Sequence, residues 1–230
     1  MIISHKYRFI FIKTNKTAGT SIEIALSKFC SEKDIITRIS PEDEKIRQQL
    51  AYRGPQNHTL PFTNYSYNHW LKSLCKMKWR KIDSHSSAYE IRKIIDEDIW
   101  NDYYKFCFER NPWDRVISLY YWYHKTRPLI SFSDFLDSEI PQRLKKRGIE
   151  NYTIDGKIVV DRVCLYENME QELEAVCNQQ LGIPEKLVLP RAKGNFRADR
   201  RHYREILNDE DRDRIAKMFA DEISLFNYEY

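Results

Sequence analysis

"FIFIKTNKTAGTSIEIAL", residues 9–26, passes without a break from an apolar strand into a helix. Phe9, Ile10, Phe11 and Ile12 are apolar at consecutive positions of a strand predicted over 7–13. Side chains alternate across a strand, so both faces are to be buried, as in a parallel sheet covered on both sides. From Ser21 to Phe29 the period changes: Ile22, Ala25, Leu26 and Phe29 form one helical stripe. The residues between are Thr14, Asn15, Lys16, Thr17, Ala18, Gly19 and Thr20. A tight turn from strand to helix leaves backbone N–H groups and a positive helix end facing outward, which binds phosphate-like anions. Lys16 adds charge, Thr17, Thr20 and Ser21 add hydroxyls, and Gly19 allows close approach.

The order of these residues excludes the usual ATP or GTP loop, which reads GxxxxGK[ST]. Here the lysine precedes the glycine by three residues, and the next glycine along the chain is Gly54.

"FCFERNPWDRVISLYYWY", residues 106–123, repeats the arrangement. A strand over 104–109 ends at Arg110, and Asn111-Pro112 opens a helix with a good N-cap followed by proline at its first position. In parallel α/β sheets ligands bind beyond the strand C-termini, so Arg110 and Lys16 are expected on one edge. Ser118 lies two turns into the second helix. An arginine fork with a serine hydroxyl suits a second, separate phosphate.

The remainder reads as helices at 41–51, 87–95, 131–137, 169–181 (ended by Gly182) and from Asn208 onward, with a hairpin turning at Asp155-Gly156. Strands alternating with helices predict one α/β domain over 1–230: a three-layer sandwich around a mostly parallel sheet. Residues 53–80 read as a long excursion rich in aromatic and basic residues.

Composition sets bounds. The chain has 230 residues and a net charge of +4, which favours an anionic ligand but is too little to indicate nucleic acid. Five cysteines without a CxxC pair suggest neither disulfides nor a zinc site. No stretch reads as a leader peptide or approaches a membrane-spanning length, so a cytoplasmic protein is expected, and the four Asn-x-Ser/Thr sequons are read as chance.

"KTAGTS" at 16–21 and "RNPWDRVISLY" at 110–120 resemble the 5′-phosphosulfate loop and the 3′-phosphate motif of the sulfotransferase family. The carbohydrate branch that holds heparan sulfate 2-O-sulfotransferase and the HNK-1-type sulfotransferases is the nearer likeness. "HSSAYEIR" at 85–92, "LYENMEQELE" at 165–174, "LPRAKGNFRADRRHYREIL" at 189–207 and the final "DEISLFNYEY" are similar in order and spacing. The resemblance implies a P-loop NTPase-like sulfotransferase fold. It also implies 3′-phosphoadenosine 5′-phosphosulfate (PAPS) as donor, adenosine 3′,5′-bisphosphate (PAP) as product, no metal, and a hydroxyl acceptor, expected on a carbohydrate.

The residue roles carry over by position. Lys16, Thr17, Ala18, Gly19, Thr20 and Ser21 correspond to the 5′ cradle, with Lys16 also catalytic. Arg110 and Ser118 correspond to the 3′-phosphate clamp, and Lys193 and Arg197 lie in a basic loop that can reach the same phosphate. His85 is the candidate base, since an imidazole can take a proton near neutral pH; His58, His69 and Glu109 are weaker candidates. Two departures stand out: Asn15 where the family usually has proline, and Ala18 where glycine is common, the latter acceptable provided its φ stays negative. Tyr65, Tyr67, Trp70, Arg53, Lys72 and Lys76 are candidates for an acceptor site, whereas the aromatic run 120–123 reads as helix packing. Acceptors of small-molecule or lipid type, a kinase-like enzyme and a non-catalytic nucleotide- or glycan-binding module are the competing readings; a kinase would need a Walker loop and a Mg²⁺ carboxylate that the sequence does not display.

Overall fold

A computed structural model describes residues 1–59, 81–190, 192, 197 and 199–230. The predicted candidates His69, Tyr65, Tyr67, Trp70, Lys72, Lys76 and Lys193 lie outside the described residues.

In chain order the elements begin β1 (Ile2–Ser4), β2 (Phe9–Phe11), α1 (Gly19–Ser27), β3 (Ile35–Ile36), α2 (Pro41–Gln49), α3 (Ala88–Arg92) and α4 (Glu97–Asp102). They continue with β4 (Tyr104–Glu109), α5 (Pro112–Tyr123), α6 (Phe132–Asp137), α7 (Glu139–Lys146), α8 (Ile149–Tyr152), β5 (Thr153–Ile154), β6 (Lys157–Ile158) and β7 (Arg162–Leu165). Last come α9 (Met169–Leu173), a π-helical turn Glu174–Gln180, α10 (Tyr203–Ile206), α11 (Asp209–Met218) and α12 (Ala220–Phe226).

The main sheet has the order β3-β1-β2-β4-β7. β2 pairs with β4 and β4 with β7 in parallel, while β1 is antiparallel to both β2 and β3. Four strands therefore share one direction and β1 alone opposes it. The strand centres are buried on both faces, as the apolar runs require. Phe9, Phe11, Phe106 and Phe108 face a core that includes Ile22, Leu26, Val176 and Cys177. Ile10, Ile12 and Cys107 face the opposite side, with Ala88, Ile91, Trp100 and Tyr152. Helices thus flank a central sheet. A third cluster joins α5 to the C-terminal helices through Trp113, Ile117, Phe135, Ile215 and Phe219.

The expected helix at 169–181 begins as α9 and widens into the π turn, and Gly182 ends it with φ of 65°. The expected final helix breaks at Phe219 into α11 and α12. The hairpin at Asp155-Gly156 forms from β5 and β6, whereas β7 joins the main sheet. Two of the sequon amides are engaged in hydrogen bonds: the exposed Asn57 amide donates to the Glu32 and Asp34 carbonyls, and the buried Asn151 amide donates to Lys13 O.

Candidate active site

The C-terminal ends of β2, β4 and β7 open on one edge, and the loops that follow them meet there. The β2 loop is held by main-chain bonds from below. Thr14 Oγ1 donates to Phe108 O at 2.5 Å, Asn15 N–H donates to Arg147 O at 3.0 Å, and Arg115 Nε donates to Asn15 O at 3.0 Å. Proline at position 15 would lack that N–H, so the departure at Asn15 adds an anchor to the loop entry.

Lys16 and Ala18 both adopt positive φ, 67° and 57°, with Thr17 between them not doing so. Such alternation turns successive N–H groups to one side, the nest geometry that accepts an anion. The condition set for Ala18 therefore fails: its φ is left-handed, because the chain must turn there to enter α1. The Thr17 side chain also departs from expectation. It is buried and its Oγ1 donates to Thr14 O at 3.3 Å, so it braces the loop instead of facing the opening. Gly19 is required for space: a Cβ there would lie 2.7 Å from Lys13 Cγ.

Lys13 cannot easily give way. Its Nζ is 2.8 Å from Glu23 Oε2, within a fully buried cluster where Glu23 also meets the Met1 amine at 3.0 Å, Arg47 Nη2 at 3.6 Å and the Thr37 hydroxyl at 2.9 Å. Burial alone would raise the Glu23 pKa, but the Met1 amine, Lys13 and Arg47 outweigh it and hold the carboxyl at about 2. Helix α1, buried at all nine positions, is thereby fixed from behind while its N-terminus faces the opening.

That opening is a cavity of about 860 Å³, and Lys16, Ala18, Gly19, Thr20, Ser21, His85, Arg110, Ser118 and Arg197 all line it. Nine lysines and arginines, and no aspartate or glutamate, line it among the described residues. Residues predicted from four separate stretches are thus brought to one chamber.

His85 occupies one wall. Its Nδ1 lies 3.0 Å from Lys13 O, and since a carbonyl only accepts, Nδ1 carries the proton and Nε2 holds the lone pair of the neutral ring. Burial first, then the charge of Lys13, lower its pKa to about 4, so the ring is neutral at pH 7. His85 also lines a second cavity of about 660 Å³, which shares Lys146 and Arg147 with the first. The other histidine and carboxyl candidates are placed differently. His58 is buried and lines neither cavity. Glu109 is buried against Arg115, the Tyr152 hydroxyl at 2.9 Å and Arg110 N–H at 3.2 Å, which makes it a strut beneath the site.

Arg110 is less independent than its sequence context implied. It donates through Nε and Nη2 to Asp114 Oδ2 at 2.9 and 2.5 Å, and through Nη1 to Lys16 O at 2.9 Å. This last bond ties the two anchor motifs directly together. The guanidinium also stacks 4.1 Å from the Tyr166 ring centre.

A family model described as "Sulfotransferase family" matches residues 1–229. The chain belongs to the sulfotransferase family. An uncharacterized protein of Archaeoglobus fulgidus is 33% identical over 103 residues, covering 44% of this chain and 85% of that protein. No solved structure is a significant match.

In this sulfotransferase, two features of the cavity escape sequence reading. Trp122 and Tyr123, expected as packing, line the cavity, with Lys16 Nζ 5.4 Å from the Trp122 ring centre. The arc Arg127, Arg143, Lys146, Arg147 and Arg200 supplies the remaining positive charge. The period of α5 offered a signal for the aromatics: Ser118 and Trp122 are four residues apart, hence on one face. Of the acceptor candidates, Arg53 is described, and it donates to Cys30 O at 3.0 Å away from both cavities. Among the described residues no group of three or more metal-ligating side chains forms, and no helix is long and apolar enough to cross a membrane.

Proposed function

We propose that this sulfotransferase moves a sulfuryl group from PAPS to an acceptor hydroxyl, with His85 as base and a carbohydrate as the acceptor class. The observation that carries the reading is the basic cavity that the start of α1, Arg110, Ser118 and His85 all line. PAPS is anionic at both its 5′ and 3′ ends, and a chamber with nine cations and no carboxylate among its described lining residues fits that demand. The strand–loop–helix then acts as a P-loop-like cradle.

The residues take distinct parts. Lys16, the amides that open α1 and the Thr20 and Ser21 hydroxyls hold the 5′ end and stabilise charge growing on the leaving phosphate. Arg110, Ser118 and Arg197 hold the 3′-phosphate. When bound, the donor supplies the activated sulfuryl group. His85 Nε2 takes the proton of the attacking hydroxyl; its Nδ1–H bond to Lys13 O fixes the tautomer and aims the ring. The second cavity, reached across His85, provides the acceptor side. The described cysteines, Cys30, Cys107, Cys164 and Cys177, are all unpaired, which suits a cytoplasmic setting.

The test is thermal unfolding with adenosine 3′,5′-bisphosphate, ADP or ATP, each without Mg²⁺. The bisphosphate is expected to raise the melting temperature well beyond the other two. Equal stabilisation by ATP, or none by the bisphosphate, overturns the reading.

A further inference from the structure

The Asp114 carboxylate carries two arginines at once. Oδ2 accepts from Arg110 Nε and Nη2 at 2.9 and 2.5 Å, and Oδ1 accepts from Arg197 Nη1 at 2.5 Å. Arg110 and Arg197 line the basic cavity, whereas Asp114 does not. Asp114 therefore sits behind the two guanidiniums.

A guanidinium has five N–H donors. Arg110 uses two on Asp114 and one on Lys16 O. Arg197 uses one each on Asp114, Asp199 O and Arg201 O. Counted over bonds to the described residues, each arginine keeps two donors. Arg197 lies 83 residues from Asp114 along the chain and outside any helix or strand, so the ion pair joins two distant parts of the chain at the cavity wall.

We propose that Asp114 is a positioning residue that yokes Arg110 and Arg197 into one paired N–H surface, and that this pair selects a nucleotide carrying a 3′-phosphate. The inference rests on the donor reading above. Two like charges held side by side need a counter-charge, and one carboxylate supplies it on the face away from the ligand. Burial would raise the Asp114 pKa, but Arg110 and Arg197 lower it below the ordinary value, so the yoke stays ionised at neutral pH.

A purely electrostatic role makes the opposite prediction. If Asp114 only diluted the positive field, removing its charge would tighten binding of every anion. The experiment is calorimetric titration of adenosine 3′,5′-bisphosphate and of adenosine 5′-monophosphate into the wild type, Asp114→Asn, Arg197→Ala and the double variant. Asp114→Asn is expected to weaken the bisphosphate about tenfold or more and the monophosphate by less than about threefold. In the Arg197→Ala background the same change should cost much less, because the yoke is already cut. Tighter binding of both nucleotides, or equal weakening of both, overturns the proposal. Should Asp114→Asn fail to fold, Asp114→Glu decides: it keeps the charge but shifts the carboxylate, so a loss confined to the bisphosphate supports the yoke, and unchanged affinity for both nucleotides removes it. A wild type that does not prefer the bisphosphate removes the donor reading and the yoke together, a result distinct from failure of the yoke alone.

Discussion

His85 Nδ1 donates to the backbone carbonyl of Lys13 across 3.0 Å, and that carbonyl also accepts from the Asn151 side-chain amide at 3.2 Å. The orientation of the imidazole is therefore set by main chain at the end of the central strand. His85→Ala is expected to retain bisphosphate binding and lose sulfuryl transfer, measured with labelled donor on sugar panels. Retained turnover removes His85 from the base role.

The same ring gives a pH prediction. Its folded pKa is lowered from 6.5 to about 4, so the neutral, proton-accepting form persists down to that pH. The acid limb of kcat/KM should fall near pH 4 in place of 6.5. In stability terms the sign is that of a histidine kept neutral: its contribution is present above about 6.5 and is lost as pH falls from 6.5 towards 4. Bound bisphosphate adds negative charge nearby, so the midpoint seen by NMR should move upward on binding.

Arg110 is buried and donates to both Asp114 and Lys16 O. Arg110→Ala is expected to weaken bisphosphate binding by about 1.5–3 kcal/mol, roughly ten- to a hundredfold, read by calorimetry. An unchanged affinity would place the second phosphate elsewhere.

Ala18 enters α1 at φ of 57°. A left-handed residue with a Cβ carries a penalty of about 1 kcal/mol that glycine avoids. Ala18→Gly is therefore expected to raise the melting temperature by about 2–4 °C for a chain of this size. A lower melting temperature would show that the greater freedom of glycine in the unfolded chain outweighs the relieved strain.

Glu23 is fully buried among Lys13, the Met1 amine and Arg47. Burial lowers the Met1 amine pKa to about 5, so at neutral pH Lys13 and Arg47 are the cations that Glu23→Gln leaves without their partner, and the change should destabilise by about 3–5 kcal/mol in denaturant unfolding. In the wild type the carboxyl falls from 4.5 to about 2 on folding. Its stabilisation is thus complete above about pH 4.5 and is lost as pH falls from 4.5 to 2. The variant should lack that acid-side slope.

What could be read in advance follows from where the physical signal was local. The runs Phe9–Ile12 and Phe106–Phe108 declared buried parallel strands, and Asn111-Pro112 declared the start of α5; all three needed only neighbours in sequence. Strands β1 and β3 have three and two residues, too few for a period, and exist because β2 offers β1 an edge and β1 offers one to β3. The cavity residues Lys16, Gly19, Arg110 and Ser118 were legible because a motif fixed their place relative to a strand end. The loop's handedness at Ala18, the inward turn of Thr17 and the bond from Asp114 to Arg197 were not, since each depends on a partner or a turn that only the folded chain supplies.

The cavity, whose described lining carries no carboxylate, has a kinetic consequence if it holds the proposed donor. A field of one sign draws an anionic nucleotide in quickly and holds back its departure, and the spent nucleotide is itself an anion. Turnover would then be paced by release of the by-product, and raised ionic strength, by loosening that hold, would quicken the cycle until it slowed capture of the next donor.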